Sequence, residues 1–110
     1  MNIKNHSPLT EASYYILLSL VKPLHGYGII KTVEEMSNHR IKLAAGTLYG
    51  ALSTLLNYRL IKIVNEQETS RKRKTYYITY SGMELLKYEI ERLEEMIQNG
   101  KNSVEEYHGD

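Results

Sequence analysis

From Glu11 to Val21, apolar residues (Ala12, Tyr14, Tyr15, Ile16, Leu17, Leu18, Leu20 and Val21) fall on nearly every face of a helix. A helix that is apolar all round must be covered on more than one side, and in so small a domain the second cover is expected from a partner chain. Thr10 is a good N-cap, and Glu11 suits the positive end of the helix dipole. Lys22-Pro23-Leu24-His25-Gly26 ends the helix, because proline lacks a backbone donor and pushes its neighbour out of the α region. A second helix is predicted from about Tyr27 to Met36, with Ile29, Ile30, Val33 and Met36 inward and Asn38-His39-Arg40 closing it. After an extended Ile41-Lys42-Leu43, the spacing predicts a third helix over Ala45 to Asn57, with Leu48, Leu52 and Leu55 as its inward stripe. Its other face, Thr47, Gly50, Ser53, Thr54 and Asn57, is small and polar, so it can approach another surface closely.

The pattern then changes period. Leu60-Ile61-Lys62-Ile63-Val64 and Lys74-Thr75-Tyr76-Tyr77-Ile78-Thr79 are rich in β-branched and aromatic residues and flank a polar stretch, which reads as a hairpin. Its tip region holds Arg71, Lys72, Arg73 and Lys74 in succession. Two helices joined by a tight turn, followed by a basic hairpin, read as a winged helix-turn-helix in which the third helix is expected in the major groove and the wing at the phosphates or the minor groove flanking it. A last helix is predicted from after Thr79 to Gly100, with Gly100 as its stop. Met83, Leu86, Ile90, Leu93 and Ile97 are spaced as a short coiled-coil seam surrounded by solvated glutamates, Glu89 among them. The fold class is therefore mainly α with a small β-hairpin. It divides into a winged helix-turn-helix body over residues 9–79, a C-terminal dimerisation helix over 80–100 and a frayed tail over 101–110.

Charge sharpens this picture. The net charge of the 110 residues is only +1, but residues 1–80 carry eleven Lys and Arg against five Asp and Glu, a net +6. The remaining thirty carry three against eight, a net −5. A basic body with an acidic tail suits nucleic-acid binding by the body alone. The absence of cysteine excludes disulfides and thiolate metal sites, and the longest strongly apolar run, Tyr14 to Leu18, is far too short to span a bilayer. With no signal-peptide layout either, a cytoplasmic protein without membrane partners is expected. His6, His25, His39 and His108 are scattered without metal-ligand spacing, and no nucleophile elbow or phosphate loop occurs, so no enzyme, metal or cofactor is expected.

Four segments carry a family likeness: His25-Gly26-Tyr27-Gly28-Ile29-Ile30, Gly46-Thr47-Leu48-Tyr49 with Ala51-Leu52, Leu60-Ile61, and Arg73-Lys74-Thr75-Tyr76-Tyr77-Ile78-Thr79. In order and spacing they resemble the successive signatures of the PadR family of transcriptional regulators, over about residues 9–98. The short C-terminus is similar to that of the compact PadR subfamily. The resemblance implies a winged-helix dimer that represses a promoter and releases DNA when a ligand binds. Three positions depart from the family pattern. Thr69-Ser70 stands where a glycine pair often forms the wing tip, Ser53 and Thr54 stand where the recognition helix commonly carries Lys or Arg, and Arg59 replaces the glycine that usually ends that helix.

The expected DNA contacts are Thr47 and Tyr49 at the start of the third helix, Ser53 and Thr54 further along the groove, Lys42 before it, and Arg71, Lys72, Arg73 and Lys74 on the wing. Tyr27 is a candidate phosphate contact, or with His25 holds the turn between the first two helices. Gly26 and Gly46 are read as permitting a turn and close approach. The expected dimer contacts are Tyr14, Leu18, Met83, Leu86, Ile90, Leu93 and Ile97. Tyr14, Tyr15 and Leu18, with Met83, Tyr88 and Met96, either line a space for an apolar or aromatic effector at the dimer centre or simply fill the interface. The expected partners are a palindromic double-stranded DNA operator and a second copy of the chain. The alternative is a helical dimerisation or protein-interaction module without DNA binding, which the uncharged third helix keeps open.

Overall fold

The computed structural model of the chain describes residues 2–66 and 74–109. The Thr10 hydroxyl accepts the Ser13 amide at 3.1 Å and opens α1 (Glu11–Ser19) as the sequence predicts. The helix ends two residues earlier than expected, where Leu20 leaves the α conformation and the Ser19 hydroxyl donates to the Ile16 carbonyl at 2.7 Å. Leu24 then exchanges two backbone hydrogen bonds with Tyr76, at 3.0 and 2.8 Å, so the turn into the next helix lies along the hairpin as a single bridge.

α2 (Gly26–Met36) buries Gly26, Ile29 and Val33. Ser37 takes the next place on that stripe, so Met36, expected inward, is exposed. The Ser37 hydroxyl donates to the Glu34 carbonyl at 3.2 Å and accepts the Ile41 amide at 3.0 Å, which fixes the turn from inside. Asn38 and His39 reverse the chain in left-handed backbone, with φ of 55° and 66°. α3 (Ala45–Asn57) buries Leu48, Leu52 and Leu55, the stripe its spacing predicts. It closes on a Schellman-type motif, with Arg59 N donating to Leu56 O and Leu60 N to Leu55 O, both at 3.0 Å. Arg59 occupies the left-handed position, at φ 59°.

β1 (Ile61–Glu66) and β2 (Lys74–Ile78) pair antiparallel, Ile61 opposite Ile78 and Ile63 opposite Tyr76, with a register shift between Ile63 and Asn65. Thr79 then joins three elements. Its amide donates to Leu60 O at 3.0 Å, its hydroxyl donates to Arg59 O at 2.7 Å, and the same hydroxyl accepts the Gly82 amide at the start of α4 (Tyr80–Glu106).

The core contains Ile16, Leu17 and Leu20 of the first helix, Leu48, Leu52 and Leu55 of α3, Ile61, Tyr76 and Ile78 of the hairpin, and Leu85 and Leu86 of α4. Each fully buried aliphatic chain contributes roughly 1.5–3 kcal/mol. The first helix is therefore covered partly by its own chain, while Tyr14, Tyr15 and Leu18 stay half-buried and Val21 exposed. Only about the first four turns of α4 pack inward; from Glu94 to Glu106 every residue is exposed. The helix does not stop at Gly100 but runs six residues further. Gly100 sits in ordinary helical backbone at a cost of about 1 kcal/mol relative to alanine, and a side-chain bond from Gln98 to Asn102 at 2.9 Å spans it. A 27-residue helix is about 40 Å long, a large part of the 65 Å maximum extent of the chain. A short 3-10 turn, Ile3–His6, lies against α4 and has no counterpart among the sequence expectations.

Candidate nucleic-acid interface

α2, its tight turn and α3 together present the expected face. Thr47, Ser53 and Thr54 are exposed along α3, and Lys42 is exposed on the extended segment before it. The Thr54 hydroxyl donates to Gly50 O at 3.2 Å, which leaves it free to accept but not to donate outward. Tyr49 is 51% exposed, and its hydroxyl end rests over Gly26. A Cβ on Gly26 would overlap that hydroxyl and stand 3.0 Å from Tyr49 Cζ, so this glycine does permit close approach. Burial pushes the Tyr76 phenol above its ordinary pKa, and Tyr49 adds to the shift. Gly46 differs from the expectation, since a side chain there would meet nothing within 4 Å because the first turn of α3 faces outward. Tyr27 is 74% exposed on the first turn of α2, so it does not hold the preceding turn by packing.

Neither His25 nor Ala44 caps its helix with a side chain, and neither helix has an acid in its first turn. The first amides of α2 and α3 thus remain positive ends without a built-in anionic partner. α3 itself carries no charge; in the chain it is preceded by Lys42, on the extended segment, and followed in the hairpin by Lys74, opposite Glu66, and both lysines are exposed. The remaining wing positions, Thr69-Ser70 and Arg71, Lys72 and Arg73, lie outside the described residues.

A second feature lies between α1 and α4. Leu9, Glu11, Tyr14, Tyr15, Glu89, Arg92 and Leu93 line a cleft of about 310 Å³. The Tyr14 and Tyr15 rings meet edge to face at 5.8 Å, and burial, followed by the Tyr15 and Glu89 charges, raises the Tyr14 phenol. Of the effector residues expected from the sequence, Tyr14 and Tyr15 line this cleft; Leu18, Tyr88 and Met96 do not. Tyr88 lies under the Lys4 ammonium at 5.3 Å, and Met96 Sδ accepts from Arg92 at 3.0 Å. Met83 faces a separate groove of about 430 Å³ with Val21, Tyr77 and Tyr80. Of the expected dimer seam, Leu86 is only 3% exposed and serves the chain's own core, whereas Ile90 and Ile97 are open and Leu93 is half-buried.

Glu89 overturns the reading of a solvated face, being 1% exposed. Its Oε2 accepts Ser7 Oγ at 2.6 Å and Arg92 Nε at 2.7 Å; its Oε1 accepts the Leu9 amide at 2.6 Å and Arg92 Nη2 at 3.1 Å. Burial alone would raise its pKa, but the bonds from Arg92, Leu9 and Ser7 outweigh burial and hold it at about 2. Nothing in the local sequence separates Glu89 from Glu91 or Glu84, because its partners Ser7 and Leu9 stand some eighty residues away. Among the described residues, no His, Cys, Asp and Glu group could hold a metal ion, and no helix is long and apolar enough to cross a membrane.

A sequence profile described as the transcriptional regulator PadR-like family matches residues 16–88. An uncharacterized 37.1 kDa protein in transposon TN4556 of Streptomyces fradiae is 36% identical over 80 residues; the match takes in 72% of this chain but only 22% of that protein's length. In three dimensions the chain is similar to a PadR family transcription regulator of Clostridium difficile R20291. That pair is 30% identical, with a TM-score of 0.64 over 86% of this chain and 98% of the other. It is also similar to a PadR family regulator of Eggerthella lenta DSM 2243, at 26% identity and a TM-score of 0.68, over 87% and 82% of the two chains.

Proposed function

We propose, from the premise that this chain belongs to the transcriptional regulator PadR-like family, that it is a transcriptional repressor binding a palindromic operator as a homodimer. The regulators of this family are DNA-binding proteins, not enzymes. The observation that carries the reading is the exposed, hydroxyl-bearing face of α3, with Thr47, Tyr49 and Ser53 outward, together with the exposed cations Lys42 before it and Lys74 after it in the chain and the exposed Tyr27 on α2. Hydroxyls there suit base edges and phosphate oxygens, and the flanking cations suit the backbone on either side. Gly46 and Gly50 keep the helix surface low enough to enter a groove.

The homodimer is supported by the outer half of α4. Ile90, the half-buried Leu93, Ile97 and Val104 recur at seam spacing, its own domain leaves the helix uncovered from Glu94 onward, and such a segment is only marginally stable alone in water. A second copy laid along it buries the seam and gives the two-fold symmetry that a palindrome needs. An apolar or aromatic effector is assigned to the Tyr14–Tyr15 cleft, supported by its size and half-buried rings. Tyrosine fluorescence that does not respond to planar aromatic compounds removes that part of the reading.

The test is selection from a randomised duplex pool, followed by anisotropy titrations between 50 and 200 mM salt. Inverted half-sites about one helical turn apart are expected. If Lys42, Lys74 and part of the Arg71-Lys72-Arg73 run make about six phosphate contacts per dimer, the slope of log K against log salt is about −5. Neutralising Arg71, Lys72 and Arg73 together flattens it. The absence of cations on α3 favours one rival, a dimerisation module that has lost the groove contacts. No affinity at 50 mM salt, or affinity indifferent to salt, decides for that rival.

A further inference from the structure

The N-terminal arm, residues 2–9, bridges α4 and the end of α3. On the α4 side, Glu89 receives hydrogen bonds from Ser7 Oγ and the Leu9 amide, both at 2.6 Å, and Lys4 covers the Tyr88 ring. A carboxylate 1% exposed that accepts from four donors, two of them on Arg92, is a rigid anchor, because each lost partner leaves buried charge uncompensated. On the other side, the His6 ring stacks on Tyr58 with centroids 4.2 Å apart and planes 29° from parallel. Tyr58 is the C-cap of α3, immediately before the left-handed Arg59. From within the domain, Thr79 grips the Arg59 and Leu60 carbonyls that follow. The end of α3 is thus held from inside by Thr79 and from the N-terminal side by His6.

We infer that the arm is a positioning strap for the recognition helix: Glu89 anchors it on α4, and His6, stacked on Tyr58, sets the C-terminal end of α3. This inference rests on the DNA-binding reading of α3. The geometry makes the effect large for a small contact. A 13-residue helix is about 20 Å long, so a tilt of about 3° at one end displaces the other by about 1 Å, enough to lose a direct hydrogen bond to a base edge. His6 and Tyr58 are positioning residues in this scheme, since they act through the C-terminal end of α3.

The experiment compares the full native chain with His6→Ala, His6→Phe and Glu89→Gln. It measures amide hydrogen exchange over residues 55–60, affinity for the selected duplex and for an unrelated duplex of equal length, and Tm. His6→Ala is expected to speed exchange at 56–60 several-fold and to weaken the selected duplex about tenfold. Its Tm should stay within about 2 °C and its affinity for the unrelated duplex should be unchanged. His6→Phe keeps a ring on Tyr58 and restores both lost properties, which a general loosening of the fold would not do. Glu89→Gln reproduces the exchange and affinity changes of His6→Ala and, because it also loses the charged anchor on Arg92, lowers Tm by several degrees; if it fails to fold, the His6 pair carries the test. Native exchange and native affinity in His6→Ala, or equal defects in His6→Ala and His6→Phe, overturn the strap. If the native chain binds no duplex, the DNA reading fails, and the exchange data alone decide whether the arm holds α3.

Discussion

Replacing Gly82 with alanine strikes the point where α3, β1 and α4 are joined. A methyl group there overlaps the Leu60 carbonyl oxygen and lies 2.6 Å from Ile78 Cγ1 and 3.2 Å from its Cδ1. The first obstacle is backbone and cannot rotate away. Leu60 O also accepts the Thr79 amide at 3.0 Å, and the Thr79 hydroxyl bridges Arg59 O and the Gly82 amide. Relieving the overlap needs a displacement of about 1 Å, which takes the Thr79–Leu60 bond out of range. That loss removes about 1 kcal/mol, and forcing the buried Ile78 aside adds about 1–3 kcal/mol. The better helix propensity of alanine returns about 1 kcal/mol. The net destabilisation is about 2 kcal/mol, or a fall in Tm of roughly 10 °C. Urea and thermal unfolding by circular dichroism at matched protein concentration measure it, with Gly46→Ala as the control. A Cβ at Gly46 meets nothing within 4 Å, so that variant gains about 0.5–1 kcal/mol. A Gly82→Ala protein as stable as the native chain refutes the reasoning.

Arg59→Gly relieves a side chain held at φ 59° and should raise stability by about 0.5–1 kcal/mol, visible as a Tm increase of a few degrees; a decrease would mean that the arginine side chain contributes more than its backbone costs. Glu89 has a folded pKa of about 2, below its unfolded value near 4.5, so its contribution is complete above about pH 5 and is lost as pH falls toward 2. That contribution is at most about 3 kcal/mol, and the urea midpoint of Glu89→Gln should change less between pH 6 and pH 3 than that of the native chain; parallel profiles contradict the assignment. Gly26→Ala displaces the Tyr49 hydroxyl, the free end of a half-exposed ring, so Tm should move by only a few degrees while affinity for the selected duplex falls about tenfold; unchanged affinity removes Tyr49 from the contact set.

The core helices were legible in the sequence because burial imposes a period on them. Leu48, Leu52 and Leu55 on α3, and Ile29 and Val33 on α2, lie where a 3.6-residue repeat puts them. Thr10 as an N-cap and Asn38-His39 as a turn were legible because their chemistry is local. What the pattern could not show depends on partners distant in sequence or on backbone geometry. Ser37 displaces Met36 because its hydroxyl ties Glu34 to Ile41. Leu86 looks like a seam residue until the core claims it, and Glu89 looks like any solvated glutamate until Ser7 and Leu9 reach it. Gly100 carries the stop signal of a helix, yet no glycine among the described residues has positive φ, so that signal goes unused. On the outward face of α3, exposure was readable residue by residue, but the seat of Tyr49 over Gly26 was not, because it joins two helices.

A recognition helix without charge separates two properties that basic helices combine. Affinity in this scheme comes from cations off the helix, Lys42 before it and Lys74 with its basic neighbours after it, and these attract any phosphate backbone. Discrimination falls to neutral groups, Thr47, Tyr49 and Ser53. Single hydroxyl contacts contribute less than the roughly 1–3 kcal/mol of a good bidentate pair to a base. Weak contacts discriminate only when they are well placed, because a neutral hydrogen bond misaligned by about 1 Å is lost while a phosphate contact at the same displacement is merely weakened. The restraints on the ends of α3 therefore matter more here than in a helix that grips its site with arginine: Ser37 within the preceding turn, Tyr49 on Gly26, Thr79 on the Arg59 and Leu60 carbonyls, and His6 on Tyr58. Loosening any of them should reduce preference for the selected duplex before it reduces binding to DNA in general.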